Sequence, residues 1–434
     1  MQIFALRNEY HFLICRSVAI LVLGLLAGVI PAAAGARDQG GDGNEQWVAT
    51  WSTVMAEPTL APGLTNAGFN NQTLRQIVHI SIGGEELRVR LSTVGAGALS
   101  IGAAHIGLSA GNASIVAGSD RVLTFGGNPS IVVPPGAPVV SDPIELTVPD
   151  FSDLAVSLYL PEATGPATWQ FDARQTSYIS LAGDFTANTV MPLDSLAPTT
   201  QSWFWISGID VLAPQHSGAI AALGDSLTNS AQSSVDANHR WTDQLARRLL
   251  SQHNDPGTGV LNEGLDGNRL LHDGLGANGI ARFERDVLSQ PGLAYVIVYL
   301  GNGDIGTGWS GGLNPNQEVT VDQILQGYQQ LIVRAHTKGI KVYGATLTPF
   351  EGAFVPGTPF PLYSPENELK RQQVNRWIRA SGTFDGVIDF DRVLRDPRAP
   401  SRLLAQYDSG DHVHPNDAGN LALAAAIDLG FFAK

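Results

Sequence analysis

The sequence has a single cysteine among its 434 residues, Cys15, which lies close to the N-terminus. Disulfide frameworks, cysteine nucleophiles and cysteine-ligated zinc are therefore excluded from the rest of the chain. Basic residues are also scarce: 26 Lys and Arg stand against 40 Asp and Glu, for a formal net charge of -14. Nucleic acids and anionic membranes both favour positively charged partners, so we expect neither as a partner of this chain.

Long apolar runs are missing too, and the one near the N-terminus spans only residues 17–30. That is shorter than the ~20 residues that a membrane-spanning helix needs. Arg7 and Arg16 precede the run and small residues follow it at 31–36, a pattern typical of a secretory signal. We predict a signal peptide over 1–36, a linker over 37–46 and a secreted protein, extracellular or periplasmic, with no stable membrane anchor after cleavage. An uncleaved anchor is the alternative.

The next part of the chain has the pattern of β-structure. Residues 74–82 and 87–91 alternate apolar and polar side chains, as half-buried strands do. Gly, Pro, Asn and Asp clusters separate further strand candidates at 100–108, 122–125, 144–148, 154–160, 177–181 and 203–211. This spacing predicts an antiparallel β-sandwich domain of jelly-roll type over 47–214.

From about residue 217 the pattern changes to strands that alternate with helices. Predicted strands at 219–223, 259–262, 295–300, 341–346 and 386–390 are followed by predicted helices at 240–252, 277–289, 321–338, 366–381 and 416–430. Strands joined by helical crossovers form a parallel sheet that is covered on both faces. We therefore predict an α/β domain over 217–434.

Four polar or glycine-rich segments follow the predicted strands or precede the last helix, at 224–228, 262–268, 301–304 and 411–415. Ligands of an open parallel sheet bind outside the carboxyl ends of its strands. The four segments are far apart in the sequence, but we expect them to meet along one edge of the sheet.

These segments contain the groups that an ester hydrolase needs. Ser226 offers a hydroxyl, His414 can take its proton, and Asp411 can orient the imidazole. The backbone N–H groups of Ser226 and Gly267 can point at a carbonyl oxygen, because glycine allows a close approach. We therefore predict Ser226 as nucleophile, His414 as base and Asp411 as the orienting acid, with Ser226 and Gly267 in the oxyanion hole.

The sequence Gly-Asp-Ser-Leu at 224–227, Gly267 and the Asp411-x-x-His414 frame, in this order, resemble the blocks of the SGNH, or GDSL-type, hydrolases. The β-rich segment before them resembles the one found in secreted two-domain bacterial members. The resemblance extends over most of the mature chain. It implies a flavodoxin-like three-layer α/β/α domain with a parallel sheet, preceded by the antiparallel β-sandwich, and hydrolysis of esters or thioesters without metal or cofactor.

One block departs from the family pattern, which is Gly-x-Asn-Asp after the third strand. The chain has Gly301-Asn302-Gly303-Asp304, so Gly303 occupies the place of the asparagine that completes the oxyanion hole. Losing one such donor typically lowers the rate ~10²–10³-fold. Either Asn302 substitutes from the neighbouring position, or the enzyme works with two donors, or it is a slow relative.

Several alternatives remain open from the sequence. His412 and His414 have a spacing that also occurs in metal sites, but no third ligand cluster accompanies them, and we expect no metal. The substrate that we expect is a short-chain or acetyl ester, with an acylated polysaccharide as one candidate. The rival functions are a carbohydrate-binding protein with a weakened or inactive hydrolase domain, and a lipase or lysophospholipase on the same scaffold.

Overall fold

The computed structural model describes residues 44–61, 64–192, 196–251, 257–306, 317–353 and 362–433. The predicted signal peptide and all but the last residues of the predicted linker lie outside the described residues. All described residues belong to one compact unit. Within them, no helix has the length and apolar character needed to cross a membrane.

The N-terminal half consists almost entirely of strands. They are β1 (Glu45–Ser52), β2 (Thr59–Ala61), β3 (Leu64–Thr65), β4 (Gln72–His79), β5 (Gly84–Ser92), β6 (Leu99–Ile101), β7 (Ala103–Gly111), β8 (Ser114–Ile115), β9 (Arg121–Val122), β10 (Ile131–Val133), β11 (Pro138–Val140), β12 (Ile144–Val148), β13 (Asp153–Leu160), β14 (Trp169–Gln170), β15 (Ser177–Ile179), β16 (Trp203–Phe204) and β17 (Ile206–Pro214). The predicted strands at 144–148 and 154–160 coincide with β12 and β13 almost residue for residue. The linker prediction extended too far, because β1 already begins at Glu45.

Two antiparallel sheets dominate this half. One has the order β1-β17-β5-β11, with β12 also paired to β5; the other has the order β15-β4-β13-β7-β8, with β9 paired to β7. Residues of both sheets, such as Val89 on β5 and Val156 on β13, are fully buried in one shared hydrophobic core. Along β12 buried and exposed residues alternate, as its sequence predicts. The antiparallel, strand-rich character is thus confirmed, while the jelly-roll topology stays a prediction.

The predicted strand over 203–211 is interrupted at Trp205, which has a positive φ of 58°. The interruption lets the chain change partners, because β16 pairs with β14 whereas β17 pairs with β1 and β5. Trp203 and Trp205 are both buried in the core.

The C-terminal half contains the predicted parallel sheet. Its strands are β18 (Gly218–Gly224), β19 (Thr258–Gly264), β20 (Leu293–Tyr299), β21 (Lys341–Ala345) and β22 (Gly386–Ile388), and a short hairpin of β23 (Arg395–Asp396) and β24 (Ala399–Leu403) follows. The sheet order is β19-β18-β20-β21-β22 and every pairing in it is parallel. Strand β18 lies between β19 and β20 and is completely buried, which explains its continuous run of apolar residues.

The helices are α1 (Ser226–Asn229), α2 (Trp241–Leu250), α3 (Gly279–Arg282), α4 (Asn302–Ile305), α5 (Val321–His336), α6 (Pro365–Ala380), α7 (Phe390–Leu394) and α8 (Asp417–Ala425). The helix predicted over 277–289 is a composite, since α3 continues as a π-helix over Phe283–Leu288. The N–H of Ser289 accordingly donates to the carbonyl of Glu284, five residues back, at 3.1 Å. A 3-10 helix, Leu429–Phe432, follows α8. The flavodoxin-like three-layer arrangement stays a prediction.

The two halves pack directly on each other through β1. The N–H of Ala49 donates to the carbonyl of Pro291 at 3.0 Å. A Cβ at Gly259, on β19, would lie 2.1 Å from the carbonyl oxygen of Ala49, and one at Gly292 would touch Val48. Only glycine allows this approach, so the N-terminal half is built tightly against the edge strand of the parallel sheet. The domain limits 47–214 and 217–434 stay predictions.

Candidate active site

Ser226 is the first residue of α1, directly after the buried strand β18. Asp225 caps the helix, because its Oδ1 accepts the N–H of Leu227 at 2.9 Å. Gly224 allows the sharp turn: a Cβ there would lie 1.9 Å from Oγ1 of Thr228. Asp225 therefore has a structural role in this turn.

The loop before α8 brings an imidazole to this serine. Nε2 of His414 lies 2.8 Å from Oγ of Ser226, and Nδ1 of His414 lies 2.6 Å from Oδ2 of Asp411. A carboxylate can only accept, so Nδ1 carries a proton and Nε2 is left to accept from the serine hydroxyl. The three predicted residues thus form one hydrogen-bonded series, although Ser226 and His414 are 188 positions apart in the sequence.

The side chain of Asp411 is held in place by backbone N–H groups of the residues that follow it. Its Oδ1 accepts the N–H groups of Val413 and His414 at 2.9 and 2.8 Å. Burial by itself would raise the pKa of Asp411, but the hydrogen bond and positive charge of His414, with the two backbone donors, outweigh burial. The pKa of Asp411 is held well below its usual range, so this carboxyl is ionised whenever the protein is folded near neutral pH.

His412, the other histidine of the loop, has a different partner. Its Nδ1 lies 2.6 Å from Oδ2 of Asp408, and its backbone has a positive φ of 64°. The choice of His414 over His412 as the candidate base therefore agrees with the geometry. Among the described residues, no group of three or more His, Cys, Asp or Glu side chains has metal-binding geometry.

Gly267 lies in the loop after β19, with a φ of +68° that favours glycine. A Cβ at this position would come within 2.8 Å of the Leu275 side chain. The same loop is tied to α1, since Nδ2 of Asn229 donates to Oδ1 of Asp266 at 2.9 Å. The loop that carries Gly267 is therefore connected to the turn that carries Ser226.

The block after β20 is arranged around Asp304. Its two carboxylate oxygens accept the N–H groups of Leu270 and Leu271 at 2.6 and 3.0 Å. Burial raises the pKa of Asp304 to about 6, although these bonds oppose the change, and burial likewise raises the pKa of Asp225 to about 7. Asp304 thus shapes the loop that contains Gly267.

The contacts of Asn302 and Gly303 show whether another group can replace the asparagine that is missing at position 303. Nδ2 of Asn302 donates to the carbonyl of Thr348 at 3.3 Å, and its Oδ1 is buried without a hydrogen-bond partner in the described structure. A Cβ at Gly303 would lie 2.8 Å from the carbonyl oxygen of Asn268. The Asn302 amide is thus directed to Thr348, and the backbone has closed over the place of the usual asparagine.

Two further residues that support the site were not predicted from the sequence. Gln170, on β14, donates to the carbonyl of Gly264 at 3.1 Å, so the N-terminal half supports the loop after β19. Arg282, on α3, donates to the carbonyls of Gly224 and Glu263 and to Oδ1 of Asn268. A glutamine and an arginine are common on surfaces, and only the contacts of the folded chain distinguish these two.

A family model of GDSL-like lipases and acylhydrolases matches residues 220–427, a span that contains Ser226, Gly267, Asp411 and His414. The chain carries a GDSL-like lipase/acylhydrolase domain. This domain is of the SGNH/GDSL type, and the class of activity that it supports is the hydrolysis of carboxylic esters. A search of curated proteins gave no match.

Solved structures similar to this chain include a putative lipolytic protein of the G-D-S-L family from Desulfitobacterium hafniense, at 19% identity and a TM-score of 0.36, covering 48% of this chain and 96% of that one. A GDSL-like lipase from Bacteroides thetaiotaomicron is 18% identical, with a TM-score of 0.36 and coverages of 49% and 87%. A variant of an acetyl xylan esterase from Geobacillus stearothermophilus is 19% identical, with a TM-score of 0.38 and coverages of 48% and 92%.

Proposed function

We propose that this GDSL hydrolase is a secreted serine esterase that acts on short-chain esters through a triad of Ser226, His414 and Asp411. The observation that carries the proposal is the unbroken series of contacts from Oγ of Ser226 through the imidazole of His414 to the carboxylate of Asp411, at 2.8 and 2.6 Å. A nucleophile, a base and a group that orients the base are the minimum that acyl transfer requires.

The reaction has two halves. Oγ of Ser226 attacks the ester carbonyl while Nε2 of His414 takes the hydroxyl proton, and the collapse of the tetrahedral intermediate releases the alcohol, which receives that proton. Water then attacks the acyl-enzyme, with His414 as base again, and the carboxylic acid leaves as Ser226 regains its proton. Asp411 keeps Nδ1 protonated and stabilises the transient imidazolium.

The developing oxyanion needs donors, and we assign the backbone N–H groups of Ser226 and Gly267 to it. In the family pattern a third donor comes from the asparagine that Gly303 replaces here. Since the amide of Asn302 is directed to Thr348, we propose a two-donor hole. The expected consequence is a turnover lower than a three-donor relative would have, by a factor of ~10²–10³.

The nature of the ester rests on less direct support. Ser226 is only 2% exposed, which favours a small acyl group over a long chain. The basic start, short apolar run and small residues of the first 36 positions support secretion, and esters on extracellular carbohydrate are one source of short acyl groups.

The test is a series of p-nitrophenyl esters of increasing acyl length, with wild type, Ser226→Ala and Ser234→Ala. Ser234 is a matched control, because it is an exposed serine whose hydroxyl donates to Asp417 and not to His414. We expect Ser234→Ala to hydrolyse acetate and butyrate esters as the wild type does, and Ser226→Ala to be inactive. Hydrolysis by Ser226→Ala would overturn the proposed nucleophile, and a preference for long acyl chains would overturn the proposed substrate.

A second function, a carbohydrate-binding protein that has lost catalysis, is favoured by one observation, the glycine at position 303. A fluorophosphonate probe distinguishes the two, because it labels only an activated serine. Labelling of wild type and Ser234→Ala, but not of Ser226→Ala, supports the esterase. A folded wild-type protein that remains unlabelled supports the binding protein.

A further inference from the structure

An arginine lies completely inside the C-terminal half, beneath the predicted oxyanion hole. Arg282 is the last residue of α3 and is 1% exposed. Burying an arginine is costly unless its N–H groups find acceptors and its charge is balanced. The acceptors that Arg282 has found indicate what it does.

Two of its contacts lie close to the residues that carry the proposed oxyanion donors. Nη2 donates to the carbonyl of Gly224, two residues before Ser226, at 2.9 Å. Nε donates to Oδ1 of Asn268, the residue after Gly267, at 3.0 Å. Nη2 also donates to the carbonyl of Glu263, near the end of β19, at 2.9 Å. One planar group therefore joins the strand end that delivers one donor to the loop that delivers the other.

The loop end of this connection is held from a second side. Nδ2 of Asn268 donates to the carbonyl of Ala277 at 2.8 Å, so the Asn268 side chain bridges Arg282 and the segment before α3. The N–H of Gly279 donates to the carbonyl of Arg269 at 2.8 Å. The loop cannot move away from α3 without breaking several hydrogen bonds at once.

The charge of Arg282 is balanced elsewhere. Nη1 lies 3.5 Å from Oδ2 of Asp286, one turn further along the π-helix, and Asp286 also pairs with Arg285. The charge is thus compensated on one side of the guanidinium, while its directed hydrogen bonds are made on the other. A substitution that keeps the positive charge of Arg282 but loses its directed hydrogen bonds can therefore test the two contributions separately.

We propose that Arg282 is a positioning residue that sets the separation of the Ser226 and Gly267 N–H groups for the transition state. The inference rests on the proposed function, because it needs these two groups to be the oxyanion donors. Such donors act at 2.7–3.1 Å from the developing oxyanion, and a misplacement of about 1 Å can lower a rate by about 10²-fold. With no asparagine at 303, the whole effect falls on two donors, so their relative position matters more than in a three-donor hole.

The test compares Arg282→Lys with Arg285→Lys. Lysine keeps the positive charge beside Asp286 but lacks the rigid fork that reaches three acceptors. Arg285 is the matched control, since it pairs with the same Asp286 from the same helix but is partly exposed and contacts no hole residue. We expect kcat on p-nitrophenyl acetate to fall about 10–100-fold in Arg282→Lys with KM changed less than about 3-fold, and to stay unchanged in Arg285→Lys.

A milder variant, Asn268→Ala, removes the contact between Arg282 and the loop of Gly267, together with the hydrogen bond from Asn268 to Ala277, and leaves the bonds from Arg282 to Gly224 and Glu263 in place. If Arg282 acts through this contact, Asn268→Ala lowers kcat without raising KM, and the double variant with Arg282→Lys is about as slow as Arg282→Lys alone. Asn268→Ala also tests the proposal by itself if Arg282→Lys does not fold. In that case a fall in kcat at constant KM for Asn268→Ala alone supports the proposal.

Wild-type kcat in Arg282→Lys or in Asn268→Ala would overturn the proposal, as would losses that multiply in the double variant. Equal losses of kcat in Arg282→Lys and Arg285→Lys would overturn it too, because charge balance alone would then explain the effect. These outcomes are distinct from a failure of the proposed function, which would appear as activity in Ser226→Ala.

Discussion

Glu263 offers a sharp quantitative prediction about stability. It lies on β19 with its side chain fully buried at the junction of the two halves of the chain. The Ser52 hydroxyl and Nε2 of Gln290 both donate to its Oε1, while its Oε2 has no hydrogen-bond partner in the described structure. Burial, reinforced by the nearby negative charge of Asp286, raises the pKa of Glu263 to about 8, against hydrogen bonding from Ser52 and the charges of Arg282 and Arg90.

The sign of the linkage follows from this change. Between the usual value of 4.5 and about 8, the native state holds a proton at Glu263 that the unfolded state has lost. The free energy of unfolding of the wild type therefore falls as the pH rises through this interval, by at most about 1.4 kcal/mol per pH unit. Glutamine resembles the protonated acid but does not titrate. The stability of Glu263→Gln relative to wild type should rise by about 3–4 kcal/mol from about pH 5 to about pH 8, as an upper limit.

The measurement is denaturant unfolding followed by tryptophan fluorescence at several pH values. Glutamine places an amide where Oε2 was, which adds a cost that does not depend on pH, so the slope of the difference is the informative quantity. Val260→Ala, on the same strand, is the control, because neither side chain titrates, and its difference from wild type should stay constant with pH. A constant difference for Glu263→Gln as well would refute the reasoning.

Three further predictions test the site and the junction. Asp411→Asn should lower kcat by about 10⁴-fold with the fold retained, because the imidazole loses its correct tautomer, and a near-wild-type kcat would contradict this role. The substitution should also remove the stability that folding gains from the lowered pKa of Asp411, which is present above the usual carboxyl range and is lost as the pH falls. Kinetics and unfolding at several pH values check both effects. Gly303→Asn should lower the free energy of unfolding by about 1–3 kcal/mol without raising kcat, since its Cβ meets the carbonyl of Asn268, and a gain in kcat would show that the hole accepts the third donor. Gly259→Val should separate β1 from β19 and lower the melting temperature, whereas Gly97→Val, where a Cβ would meet nothing within 4 Å, should leave it unchanged.

The general architecture could be predicted because the patterns are local. Strand β18 is a short, fully apolar run between turn residues, and the amphipathic pattern of α5 begins at the Thr320 cap and ends within two residues of the prediction. The candidate triad could be predicted because a parallel sheet brings its strand ends together whatever their separation in sequence. Ser226 follows from this rule and its chemistry, whereas the prediction of Asp411 and His414 also used the Asp-x-x-His frame of the family resemblance.

Other features depend on contacts that a local pattern does not contain. Alternation predicts one strand through Trp205, but a bulky residue at positive φ is rare, and only the need to change pairing partners explains it. The Gly and Asp content before the first strand predicts a linker over 37–46, whereas the pairing of β1 with β17 already starts at Glu45. Arg282 has the appearance of a surface residue on a short helix, and its role is visible only from three acceptors contributed by distant segments.

The π-helical turn at Phe283–Leu288 limits how this part of the chain can vary in length. The start of the turn is held in place by the hydrogen bonds of Arg282, at the end of α3. Its end is held by Gln290, whose side-chain amide donates to Oε1 of Glu263 and to the carbonyl of Asp286. Removing one residue would restore α-helical winding but rotate one fastening by about 100° relative to the other. Natural or engineered relatives that lack this residue would have to give up either the arginine under the nucleophile turn or the glutamine at the junction, so insertions and deletions should be found on either side of the turn rather than inside it.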